Sequence, residues 1–134
     1  MKTVMLIDDS EADLLFSRII VGRSGLCDHV LEFESAPAAL AHLRSTAGPD
    51  VDVILLDINM PGMDGFEFLD AYRELAATRQ ARAAVVMLTS SPDPQDRSRA
   101  ESYDCVRGYV VKPISVAGAR ALGGLFPAAA SGRQ

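Results

Sequence analysis

Short apolar runs alternate with stretches of helical periodicity along this chain. Residues 3–7 (TVMLI) form a continuous apolar run that predicts a strand. Ser10, with Asp13 three residues later, has the form of a capping box at a helix start. Ala12, Leu15, Phe16, Ile19 and Ile20 then recur at the 3.6-residue period. That spacing predicts an amphipathic helix with these residues on its apolar face, ending near Gly22 or Gly25. Residues 29–33 read as a second strand. A helix over 36–45 carries Ala36, Ala39, Leu40 and Leu43 on one face, and Gly48 and Pro49 punctuate its end.

Val53, Ile54, Leu55 and Leu56 are continuously apolar and Asp57 closes the run, the pattern of a strand buried on both faces. The next helix starts near Gly65. Residues 83–88 are another apolar run, followed by Thr89. Asp93 and Pro94 match an N-cap followed by proline at the first helical position, with the helix reaching about Tyr103. Tyr109, Val110 and Val111 make a short last strand. Ser115 caps a final helix weakened by Gly118, Gly123 and Gly124. Strands and helices thus alternate strictly, five of each, which predicts a doubly wound α/β fold with a parallel sheet and right-handed crossovers. The expected domain is 1–126, with 127–134 (PAAASGRQ) as a flexible tail.

Composition narrows the picture. A length of 134 residues, 49% of them hydrophobic, suits one domain with a proper core. No apolar run approaches the ~18 to 20 residues that span a bilayer. The N-terminal run is cut off at once by Asp8 and Asp9, so it reads as a strand and not as a secretory signal. Cys27 and Cys105 form no CxxC pair and read as free thiols in a reducing compartment, so the expected location is cytoplasmic and no membrane partner is expected. A net charge of −5 without a basic stripe argues against nucleic acid as a partner. His29 and His42 stand isolated and read as surface or packing residues.

The candidate chemistry lies at the carboxyl ends of the predicted strands, where doubly wound folds bind their ligands. Those ends carry Asp8 and Asp9, Asp57, Thr89 and Lys112. Three converging carboxylates repel one another, and a hard divalent cation such as Mg²⁺ relieves the repulsion. With Lys112 added, the charges of this set sum to zero. Asp57 is then a candidate nucleophile, since a carboxylate can attack phosphorus and form an acyl phosphate. Mg²⁺ would neutralise the transferring group, Lys112 would act as a point charge on one phosphoryl oxygen, and Thr89 would donate its hydroxyl to another. The plain alternative is that Asp8 and Asp9 only cap the first helix with Ser10. It leaves Asp57, Thr89 and Lys112 at matching strand ends unexplained.

Four segments, IDDS (7–10), LLDINMPGMDG (55–65), MLTSS (87–91) and GYVVKP (108–113), together resemble the receiver domains of response regulators, in the same order and over nearly the whole chain. The resemblance implies a flavodoxin-like fold with strand order 2-1-3-4-5. It implies Asp57 as phosphoacceptor and Asp9 and Asp57 as direct Mg²⁺ ligands. Asp8 would act through water, and Asn59 would lend its backbone carbonyl. Lys112 and Thr89 would contact the phosphoryl group, Tyr109 matches the switch aromatic, and Lys112–Pro113 matches a cis peptide. Pro61, Gly62 and Gly65 would shape the loop after Asp57. The implied partners are a histidine kinase or histidine phosphotransfer protein, and a downstream target on the face of the fourth helix, fifth strand and fifth helix.

Two segments depart from the family pattern. SSPDPQD (90–96) contains two prolines, and the last helix is short and glycine-rich. Both lie near the expected output face. A haloacid-dehalogenase-like phosphatase would want a second Asp at the position of Asn59. A flavodoxin would want a phosphate-cradling loop where IDDSEAD stands. The remaining alternative is a receiver-like binding module that works without phosphorylation. The tail, with no helical linker, reads as that of a stand-alone receiver, and its chemistry is expected to be confined to phosphotransfer onto itself and autodephosphorylation.

Overall fold

The structure, a computed structural model, describes residues 2–45, 51–79 and 83–126. The turn at Gly48 and Pro49 and the tail at 127–134 lie outside them. The elements are β1 (Thr3–Ile7), α1 (Glu11–Ser24), β2 (His29–Phe33), α2 (Ala36–Arg44), β3 (Val53–Asp57), α3 (Gly65–Arg79), β4 (Ala84–Thr89), α4 (Pro94–Glu101), β5 (Val106–Val111) and α5 (Val116–Ala121). A short 3₁₀ turn, Leu122–Leu125, follows α5. All strand pairs are parallel and the sheet order is β2-β1-β3-β4-β5.

The apolar runs explain the sheet's centre. β1 and β3 are buried at every position, and β4 at all but its first. Alternation along each strand divides the core into two layers. Met5, Ile7, Ile54 and Leu56 pack with Ala39 and Leu40 of α2, Phe68, Leu69 and Tyr72 of α3, and Ala100 of α4. Val4, Leu6, Val53 and Leu55 pack on the other face with Leu14 and Val21 of α1 and Ala119 of α5.

Helix ends follow the caps. Ser10, Ser35, Asp93 and Ser115 each accept a backbone N–H of the first turn. Gly25 ends α1 in the left-handed region at φ 70°. Asp64 and Glu67 form a reciprocal pair at the start of α3. Asp64 Oδ1 accepts from the N–H of Glu67 at 2.9 Å, and Glu67 Oε1 accepts from that of Asp64 at 3.1 Å.

Two expectations are corrected. Of the expected apolar stripe of α1, Ile20 faces the core but Ala12, Leu15, Phe16 and Ile19 do not. Leu15, Phe16 and Ile19 are 47%, 43% and 43% exposed, while Leu14, Ser17, Ile20 and Val21 are buried. The helix is apolar on both sides, so its period marks a helix without choosing the buried face. The last strand begins at Val106, earlier than Tyr109. Arg107 and Gly108 disguise it, because a register shift pairs Val85 with Val106 and Val86 with Gly108. A Cβ on Gly108 would lie 3.4 Å from the Val86 methyls, so the small residue lets the two strands close up.

Candidate functional site

Register brings the strand ends level. Ile7 pairs with Leu56, Asp57 with Leu88, and Thr89 with Val111. Asp8 and Asp9 therefore leave β1 beside Asp57 at the end of β3, with Thr89 closing β4 and Lys112 following β5. Carboxylate oxygens of Asp8, Asp9 and Asp57 lie within 4.8 Å of one another. Asp8 and Asp57 are buried and Asp9 is exposed. Lys112 Nζ reaches three carboxylates: Asp8 Oδ2 at 2.6 Å, Asp13 Oδ2 at 3.0 Å and Asp57 Oδ1 at 3.4 Å.

The charges are strained against one another. Burial pushes the Asp57 carboxyl up to about 6, and the Asp8 charge adds to the rise. Lys112 and the backbone N–H of Asn59, which donates to the carboxylate, pull it partly back. Burial opposes the Lys112 charge, but hydrogen bonds to Asp8 and Asp13 outweigh it and hold the ammonium above the usual lysine range. This arrangement fits a small hard cation. Oxygen donors converge, two of the carboxylates are buried, and one lysine leaves part of their charge uncompensated. The charge closure expected from the sequence is corrected by Asp13. Four carboxylates now face one lysine, so a divalent cation would leave the cluster at −1 and not at zero.

Asp13 is the residue that sequence reasoning missed, having read it only as part of a helix cap. Its place in the first turn of α1, just after the acidic pair, was the available signal. The capping reading of the acidic pair also holds in part, because Asp8 Oδ1 accepts the N–H of Ser10 at 2.9 Å. Asp8 thus fixes the start of α1 with one oxygen and Lys112 with the other.

The loop after Asp57 is held by backbone. Gly62 has φ 77°, which favours glycine. The N–H of Gly65 donates to the Ile58 carbonyl at 2.9 Å. Asn59 is exposed at the rim. Thr89 is fully buried, and its Oγ1 accepts the N–H of Ser91 at 3.0 Å. Its carbonyl accepts the N–H of Lys112 at 2.8 Å, and the Lys112–Pro113 peptide is cis. Tyr109 lies on the α4 side of the sheet, with the Arg97 guanidinium 5.5 Å from its ring centre. Its hydroxyl is buried and has no hydrogen-bond partner among the described residues.

Known proteins share this plan. The response regulator receiver domain profile matches residues 4–121. A two-component response regulator from Cytophaga hutchinsonii superposes with a TM-score of 0.83 at 31% identity, over 93% of each chain. A response regulator receiver protein from Dyadobacter fermentans gives 0.82 at 35% identity, over 96% of this chain and 100% of the other. Among curated relatives, the sensor protein GacS of Pseudomonas syringae is 28% identical over 84% of this chain but only 12% of its own length. The rice response regulator ORR1 is 29% identical over 83% of this chain and 49% of its own. The chain therefore spans half or less of these two relatives. A profile match across nearly the whole fold, over strand ends that gather three aspartates and a lysine, means that this chain belongs to the response regulator receiver family of two-component signalling.

Proposed function

We propose that Asp57 accepts a phosphoryl group from the phosphohistidine of a histidine kinase or histidine phosphotransfer protein, in a Mg²⁺-dependent reaction. The observation that carries this reading is the convergence of Asp8, Asp9 and Asp57 within 4.8 Å, with Lys112 Nζ 3.4 Å from Asp57. Asp57 titrates near 6, so it is mostly ionised at neutral pH and available as a nucleophile. Its oxygen attacks phosphorus, the P–N bond breaks, and the electron pair returns to the imidazole. Asp9 and Asp57 would hold the cation directly, Asp8 through water, with the Asn59 carbonyl as a further donor. When bound, the cation supplies charge neutralisation to the transferring group.

Lys112 is already committed to Asp57 and needs little motion to meet a phosphoryl oxygen. Thr89 Oγ1 accepts from Ser91, which leaves its proton free to donate to another phosphoryl oxygen. Thr89 also abuts β5 through the Lys112 N–H, so its movement is transmitted toward Tyr109 and the face formed by α4, β5 and α5. That face is the proposed docking surface for a downstream protein. In this reading the chain's own chemistry is limited to self-catalysed phosphotransfer and autodephosphorylation, in the cytoplasm. Among the described residues no helix is long and apolar enough to cross a membrane.

The test is transfer from radiolabelled phosphorylated kinases, with and without Mg²⁺. Label should move to the wild type only with Mg²⁺ and not to Asp57→Asn. Binding of a target with equal affinity before and after phosphorylation would instead favour a phosphorylation-independent module.

A further inference from the structure

Lys112 has three N–H donors: two are hydrogen-bonded, to Asp8 at 2.6 Å and Asp13 at 3.0 Å, and Asp57 faces the ammonium as an ion pair at 3.4 Å. Two of its three donors are therefore taken before any phosphoryl group arrives, leaving one toward Asp57. For Lys112 to turn a second donor onto the phosphoryl oxygens of Asp57, Asp8 or Asp13 must give way. Asp8 is the closest, and its side chain is 5% exposed. Asp57 is the site of reaction. Asp13, at 3.0 Å, is 47% exposed and can be rehydrated at little cost, so its contact is the one to yield.

We infer that Asp13 is a positioning residue that competes with the phosphoryl group for Lys112 and so weakens the site's hold on phosphoryl oxygens. The inference rests on the proposed role of Asp57 and adds a regulator to the same site. Asp13 sits in the first turn of α1 with its own N–H held by Ser10 Oγ at 3.2 Å. The competition is thus anchored to the helix start that Asp8 also fixes through Ser10. A shift of the first turn of α1 would then alter how tightly the second Lys112 donor is withheld from phosphoryl oxygens on Asp57.

The experiment compares wild type, Asp13→Asn and Asp13→Glu for Mg²⁺-dependent binding of the phosphoryl mimic beryllofluoride, alone and in a Lys112→Ala background. An exposed carboxylate partner of this kind corresponds to about two- to five-fold in affinity. Asp13→Asn should therefore bind the mimic about two- to five-fold more tightly, and Asp13→Glu should return toward wild type. The gain should vanish when Lys112 is Ala, because the effect passes through that ammonium. In the metal-free protein, the Lys112 ammonium protons should exchange faster by NMR in Asp13→Asn than in wild type. Equal or weaker binding by Asp13→Asn overturns the inference. So does a gain that survives in Lys112→Ala, which would mean a general field effect. If wild type binds no mimic at all, or Asp57→Asn binds it equally, the proposed role of Asp57 fails and the inference fails with it. Thermal melts of the Asn and Glu variants establish that each is folded.

Discussion

Gly65 lies so close to Asp57 that a Cβ built on it would come within 2.9 Å of the Asp57 carbonyl oxygen and equally close to the Ile58 Cα. Both contacts are backbone, so neither can rotate away. The start of α3 is thereby seated directly against the end of β3. Gly65→Ala should destabilise the fold by about 1 to 3 kcal/mol, the usual cost of overpacking. Urea denaturation should show a lower midpoint with an unchanged slope. Gly124→Ala, with nothing within 4 Å of its Cβ, is the matched control.

The metal-free protein should lose stability as pH rises from about 4 to about 6. Asp57 is raised from 3.8 to about 6 in the folded chain, by burial first and Asp8 second. The folded state therefore holds this proton more tightly than the unfolded state. The contribution is complete below pH ~4 and gone above pH ~6, and a shift of this size is worth roughly 3 kcal/mol at most. Asp57→Asn removes the titration. Its metal-free melting temperature should vary less over this range and exceed that of wild type at neutral pH. A wild-type profile that rises through the same window would contradict the crowded acidic site.

Asp9→Asn should lower Mg²⁺ affinity on the order of tenfold, because it removes one charged oxygen donor from the set. Titration calorimetry reads this directly. Asp9 is exposed, so the metal-free melt should be unchanged or slightly raised by relief of like-charge repulsion. A large loss of metal-free stability would instead assign Asp9 to the fold.

Thr89→Ala tests the route from Asp57 to the α4 side of the sheet. With beryllofluoride and Mg²⁺, wild-type NMR spectra should shift at Tyr109 and through α4, and the variant's shifts should be much smaller. The Tyr109 hydroxyl is buried with no hydrogen-bond partner among the described residues, so only packing and the Arg97 guanidinium over its ring hold that side chain. Coupling of only ~1 to 3 kcal/mol between the sites suffices. Equal shifts in both proteins would remove Thr89 from the route.

Much of this was legible in the sequence, for identifiable reasons. β1, β3 and β4 are buried on both faces, so their apolar runs announced them, and the polar residues that ended those runs were site residues. Caps at Ser10, Asp93 and Ser115 marked helix starts because their hydroxyl or carboxylate oxygens take up first-turn N–H groups. The buried face of α1 was not legible, because Leu14 and Leu15 are adjacent and equally apolar, yet one is buried and the other exposed. The start of β5 was hidden by Arg107 and Gly108, since an edge strand with a register shift needs no apolar alternation. Asp13 was missed because its partner Lys112 is 99 residues away, and only the folded register brings them together.

The roles proposed for Lys112, Thr89 and the acidic cluster all depend on Asp57 carrying the phosphoryl group. The most direct measurement is to phosphorylate the protein with acetyl phosphate and Mg²⁺, reduce the acyl phosphate with borohydride, and map the product by peptide mass spectrometry. Homoserine should appear at position 57 and at no other aspartate, with none formed when Mg²⁺ is chelated. Homoserine at Asp8 or Asp9, or an unmodified Asp57 in protein that has incorporated phosphate, would contradict that role for Asp57.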